Sequence, residues 1–173
     1  LLALALADEG EQALRRERLA PATLLQQAVL RNLDKADRQG VDLGARGVDE
    51  PGADGLAIVS DAALVGAMLD NLIDNALRYG GRMLTLELAA GPQADEVTLA
   101  VVDDGPGIPE AARRALTQRW SQGADGQQLG QGSGLGLSIV ARYAQLLGAR
   151  LLLDDAPPPG GLRAALVFTR AAG

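Results

Sequence analysis

Apolar side chains at Leu64, Met68, Leu69, Leu72, Ile73 and Ala76 recur three and four residues apart, which predicts a helix with a broad core-facing side. Ser60 or Asp61 can cap its start, and Gly80-Gly81 closes it. Asn71, Asn75 and Arg78 fall together beside that apolar side. A buried amide without a partner costs free energy, so two carboxamides four residues apart at the edge of a core suit a ligand wall. The same residues also fit a solvated helix face carrying an Asp74 to Arg78 ion pair, and the stretch alone leaves both readings open.

The rest of the pattern divides cleanly. Residues 1 to 18 read as a leucine-rich helical piece ending in Arg15-Arg16-Glu17-Arg18, like the end of a longer helix. Pro21 punctuates, Ala22 to Arg38 is a second helix with Leu25, Ala28, Val29, Asn32 and Ala36 along one stripe, and Gly40 stops it. Val41 to Arg46 and Leu56 to Val59 read as strands around a turn-rich loop. Met83 to Leu88 and Glu96 to Val102 read as a hairpin. A helix runs from Pro109 to about Gln118, Trp120 to Gly132 is a polar, glycine-rich mobile loop, and Ser133 to Leu147 is a helix. Arg150 to Asp154 and Leu162 to Thr169 close the chain as strands. Together these predict an α/β fold, a two-layer α/β sandwich whose mixed, largely antiparallel sheet carries helices on one face.

Composition narrows the chemistry. At 173 residues and 47% apolar, the chain is long enough for one domain with a full core and a short appendage. A net charge of -6 argues against a nucleic-acid partner, whose binding rests on clustered cations. With no Cys and no His the chain cannot build thiolate or imidazole metal sites, disulfides, or a Cys or Ser-His nucleophile. A metal would be held by oxygen, which points to a hard cation such as magnesium shared with substrate phosphates. Lys35 is the only lysine, so no glycine cluster here is a P-loop. No apolar run approaches the length of a membrane span, and Leu1 to Ala7 precedes acidic rather than following basic residues, so neither a signal peptide nor an anchor is expected.

Two further stretches carry candidate chemistry. Asp103-x-Gly105-x-Gly107 ends a strand, so a carboxylate is held where glycines let a flat ligand approach the backbone. A carboxylate accepts hydrogen bonds only and so favours adenine's amino group over guanine's carbonyl oxygen. An Asx-type turn at Asp103 or Asp104 explains the same residues without a ligand. Gly130-Gln131-Gly132-Ser133-Gly134-Leu135-Gly136-Leu137 runs into a helix, where freed N–H groups and the helix dipole make an anion site. A flexible linker followed by an ordinary helix start is the alternative. Leu137 stands where a third glycine would be needed for a Rossmann fingerprint.

Taken jointly and in order, Asn71 with Asn75-Ala-Leu-Arg78-Tyr79, Asp103-Asp-Gly-Pro-Gly-Ile-Pro109 and Gly132-Ser-Gly-Leu-Gly-Leu-Ser138 resemble the N, G1 and G2 boxes of sensor histidine kinases, over about residues 41 to 170. The resemblance implies the Bergerat ATP-binding sandwich, with ATP and Mg2+ as ligands. It implies that Asn75 holds magnesium, that Asn71 and Arg78 line the phosphates, that Tyr79 flanks adenine, and that Asp103 takes the adenine amino group. Gly105, Gly107 and Ile108 would shape the base pocket, while Gly132, Ser133, Gly134, Leu135, Gly136 and Leu137 would form the phosphate end of a lid. Leu116 to Trp120 resembles the family's F box, with Arg119 as its catalytic arginine and Thr117 where an aromatic is usual. Residues 160 to 168 resemble the last glycine box, with Ala164 and Ala165 replacing its polar residue.

In hydrolysing relatives a glutamate four residues before the metal-binding Asn activates water; Asn71 stands there and cannot take a proton. The resemblance therefore implies transfer of the γ-phosphate to a histidine upstream of this chain, on a dimerisation and phosphoacceptor domain, and then to a response-regulator aspartate. Residues 1 to 20 are expected to be a remnant of that domain's second helix and linker, and 21 to 173 the catalytic ATP-binding domain. The expected setting is cytoplasmic, with no membrane contact by this fragment and a full-length protein anchored in the bacterial inner membrane. A histidine-free regulatory binding module, or an anti-sigma-type serine kinase, is the alternative.

Overall fold

The computed structural model describes residues 14–121 and 135–173. Helix α1, Pro21–Arg38, starts on Pro21, whose missing N–H is no loss in a first turn, and buries Leu25, Ala28, Asn32 and Ala36. Strand β2, Asp42–Arg46, follows the left-handed turn at Gly40. Strand β3, Ile58–Ser60, leads into helix α2, Ala62–Tyr79, which carries the amide line. Of the two expected caps Asp61 is the one used: its Oδ1 accepts the N–H groups of Ala63 and Leu64 at 3.0 and 3.2 Å. Val65, Met68, Leu69, Leu72, Ile73, Ala76 and Leu77 are buried, so the apolar periodicity faces the core as its spacing requires.

Strands β4, Met83–Ala90, and β5, Glu96–Asp103, form the expected antiparallel hairpin. Helix α3, Glu110–Ser121, starts just after Pro109 and takes in Trp120 and Ser121, which the sequence had assigned to the loop. The remainder of that loop lies outside the described residues. Helix α4, Leu135–Leu147, ends at Gly148 in the left-handed region, and β6, Arg150–Asp155, and β7, Leu162–Thr169, complete the chain.

Sheet order is β2-β4-β5-β7-β6. Only β2 and β4 run parallel; the crossover between them contains β3 and α2, and the other neighbours are antiparallel. Along β4, Leu84, Leu86 and Leu88 are buried while Thr85 and Glu87 on the other face are less so, which fixes the helix-bearing side. On that side Val97, Leu99 and Val101 from β5 and Ala164, Leu166 and Phe168 from β7 join one core with α1, α2 and α4. The fold is the expected two-layer α/β sandwich with a mixed, largely antiparallel sheet.

One expectation fails. Glu17–Leu19 is a strand, β1, antiparallel to β3, and not the end of a helix. Its charged residues have adequate helix propensity, but pairing with β3 and burial of Leu19 outweigh that local preference. Arg15 N–H also donates to Asp61 Oδ2 at 2.9 Å, so residues 15 to 19 are bonded into the body that the sequence reading began at Pro21. The earlier part of the expected leading helix, residues 1 to 13, lies outside the described residues.

Candidate functional site

The exposed side of α2 sets out the candidate groups in order. Asn71 and Asn75 are half-buried, Arg78 is exposed, and Tyr79 is 42% exposed at the last turn. The Asn71 amide nitrogen donates to the Ala67 carbonyl at 2.7 Å, which uses one of its two N–H donors within the helix and leaves the other and the Oδ1 acceptor to offer. Asp70 and Asp74, on the flank of this line, are matched by α1: Arg31 and Asn32 reach Asp70 at 3.1 and 2.9 Å, and Lys35 pairs with Asp74. The Asp74 to Arg78 pair considered from the sequence does not form. Lys35 takes Asp74 and leaves Arg78 in no ion pair among the described residues. Two carboxylates beside the line are thus paired, while its cation has no ion pair among the described residues.

At the far end of α2 lies Asp103, 8% exposed at the end of β5. Its Oδ1 accepts the N–H groups of Gly105 at 2.9 Å and Leu162 at 3.3 Å. The first is the Asx-type bond of the alternative reading. It does not exclude the other reading, because a carboxylate has a second oxygen and Oδ2 has no such bond to a described residue. Burial raises the Asp103 pKa above its ordinary 3.8; the two backbone N–H groups oppose that, and the Asp104 charge adds slightly to it. Gly80, ending α2, comes so close that an added Cβ would stand 3.0 Å from Asp103 Cβ. A Cβ on Gly105 would stand 2.6 Å from Gly80 Cα, and one on Gly161 would overlap the Asp103 carbonyl. The carboxylate is therefore enclosed by the ends of α2, β5 and the start of β7, with side chains removed to allow it.

Gly136, in the first turn of α4, has its Cα side 3.8 Å, measured to an ideal Cβ, from the Asn71 carbonyl. That brings the helix N-terminus expected to bind anions beside the amide line. Leu137 is 1% exposed and belongs to the hydrophobic core, so its side chain anchors the start of α4. Gly107 adopts a left-handed conformation against the Gly161 carbonyl, and Ile108 packs partly buried on the core. Gly132, Ser133 and Gly134 lie outside the described residues, Leu135 and Arg119 are placed only as helix positions in α4 and α3, and Ala164 and Ala165 are buried in β7. No cluster of three acidic side chains exists among the described residues to hold a metal unaided.

A hollow of about 140 Å³ lies behind Asp103 and Asp104 against Met83, Thr85, Val102 and the Pro157–Pro159 turn. It occupies the sheet face away from the helices. The converging polar groups are on the α2 side, and the site is assigned there on chemistry rather than enclosure. Sequence reading missed the Asp70 and Asp74 neutralisation and the close backbone approach at Gly80-Gly81, a doublet read only as a helix stop.

Residues 60–171 match the family model described as histidine kinase-, DNA gyrase B- and HSP90-like ATPase. The sensor-type histidine kinase PrrB of Mycobacterium tuberculosis is 40% identical over 98 residues, 57% of this chain and 21% of that protein. The signal transduction histidine-protein kinase AfsQ2 of Streptomyces coelicolor is 32% identical over 138 residues, 78% of this chain and 25% of that protein. The chain thus spans about a fifth to a quarter of the length of these relatives. Among solved structures, the ATP binding domain of PrrB from Mycobacterium tuberculosis superposes with a TM-score of 0.66 at 26% identity, covering 91% of this chain and 98% of that one. Full-length ShkA in complex with AMPPNP gives 0.72 at 21% identity, covering 99% and 35%.

Proposed function

This chain belongs to the histidine kinase-, DNA gyrase B- and HSP90-like ATPase family, and on that footing we propose that it binds Mg-ATP and donates the γ-phosphate to a histidine on a separate dimerisation and phosphoacceptor domain. From there the phosphate would pass to a response-regulator aspartate. The observation that carries the reading is the order of groups along α2, with a buried adenine-type acceptor, Asp103, at one end and Asn71, Asn75 and the start of α4 towards the other.

In this reading Asp103 Oδ2 accepts the adenine amino group, Tyr79 flanks the base, and Gly105, Gly107 and Ile108 shape its pocket. Asn75, whose amide makes no hydrogen bond to a described residue, fits magnesium as a neutral oxygen donor, with phosphate oxygens completing the shell. Magnesium would neutralise charge on the transferred phosphoryl group. Asn71 and Arg78 line the phosphates, Gly132 to Leu137 are assigned to the phosphate end, and Arg119 is assigned to the γ-phosphate. Asn71 supports a kinase over a hydrolase, since an amide already donating to Ala67 has no basic site for activating water. A chain without histidine cannot be its own histidine acceptor. No described helix is long and apolar enough to cross a membrane, which suits a catalytic unit on the cytoplasmic side of an anchored sensor. The division into a hairpin remnant and a catalytic unit is retained with the catalytic body taken from Leu14.

Mixing the chain with a separately produced dimerisation hairpin and γ-labelled Mg-ATP should give labelled phosphohistidine, lost with Asn75→Ala. Intact Mg-ATP binding with no transfer to any cognate hairpin would instead make this a nucleotide-dependent binding module.

A further inference from the structure

We propose that Asp104 is a positioning residue that fixes the distance between the base end and the phosphate end of the site, an inference resting on the Mg-ATP reading above. The link from α2 to β4 is Gly80-Gly81-Arg82, and it runs directly under the Asp104 carboxylate. Asp104 Oδ1 accepts two consecutive backbone N–H groups from that link, Arg82 at 2.8 Å and Met83 at 2.9 Å. Gly81 lies so close beneath it that an added Cβ would run into Oδ1 and stand 2.9 Å from Cγ. The next residue, Gly105, packs its backbone on Gly80. The carboxylate thus staples the start of β4, and with it the glycine link that leaves α2, to the end of β5.

Asp103 does not depend on that staple. Its own bonds go to Gly105 and Leu162, within the turn and across to β7. Loss of the Asp104 carboxylate therefore leaves the base acceptor in place and frees α2, with Asn71, Asn75 and Arg78, to shift relative to it. A ligand touching only the base end meets the shift at Tyr79 alone and so feels little of it. A ligand bridging both ends is not, because displacements near 1 Å are enough to lose large factors in binding and rate.

The experiment compares Mg-ATP with adenosine, each titrated by NMR against wild type, Asp104→Ala and Asp104→Asn. Asp104→Ala should weaken Mg-ATP on the order of tenfold or more, with adenosine changed by less than about twofold. Asp104→Asn, whose carbonyl oxygen can accept the same two N–H groups, should restore Mg-ATP binding. Gly81→Ala, which drives a methyl into the same carboxylate, should reproduce the split and serves if Asp104→Ala does not fold. Equal weakening of both ligands, or no weakening of Mg-ATP, overturns the staple. If wild type binds neither ligand, the nucleotide reading itself fails.

Discussion

Asp103 shows how one side chain can serve structure and, in the proposed reading, recognition together. Oδ1 is committed to Gly105 and Leu162, so the orientation of the carboxylate is set before any ligand arrives. Burial raises its pKa, so the charged form that would accept adenine's amino group is held at a cost to the fold. Because the folded-state pKa exceeds the ordinary 3.8, the native state binds the proton more tightly than the unfolded chain, and stability from this group falls as pH rises through the interval above 3.8. Asp103→Asn keeps an oxygen for the two N–H groups and removes the buried charge. Thermal melts of the ligand-free protein should therefore give a higher Tm than wild type at pH 7, the gap closing as pH falls through that interval. The same variant should lose ATP affinity by on the order of tenfold and shift preference towards GTP, since an amide NH2 then faces the base and suits a carbonyl oxygen. An unchanged ATP to GTP ratio would remove Asp103 from base recognition.

The helix α2 works on two sides, and the sides differ in what holds them. Its apolar side is packing: Leu69→Ala, at a position with no exposure, should cost about 2–5 kcal/mol in urea unfolding. The ion pairs to α1 are exposed, and Lys35→Ala should cost less than about 1 kcal/mol. Comparable costs for the two would mean that charge, not packing, seats α1 on α2. This helix was legible in the sequence because all its signals are local: a 3.6-residue period, the Asp61 cap and the closing glycines. The three motifs were legible for the same reason. β1 was not, since what makes Glu17–Leu19 a strand is a partner some forty residues away at Ile58–Ser60. Lys35 as the partner of Asp74, and Arg82 and Met83 as partners of Asp104, are likewise fixed by how elements pack, and spacing along the chain does not report them.

For the whole molecule, a site drawn from the ends of α2, β5, β7 and α4 would couple ligand binding to global stability. Mg-ATP at a hundred times its dissociation constant should add about 2.7 kcal/mol, a rise in Tm of roughly 5–10 °C for a chain of this size. Absence of any shift at saturating Mg-ATP would contradict the assignment of the site. The small sheet on the opposite side has a consequence of another kind. The chain enters along β1 and leaves past Arg170 beside β3: Ala171 N–H donates to the Ala57 carbonyl at 2.7 Å, and Arg18 reaches the Ala172 carbonyl at 2.7 Å. Entry and exit thus share one corner, bonded through Asp61 to the first turn of α2, whose eighteen residues span about 27 Å to the base end. With that corner as a pivot, α2 is a lever arm for the described body. A turn of roughly 20° at that corner sweeps the Asp103 end through roughly 9 Å without breaking a bond in the large sheet.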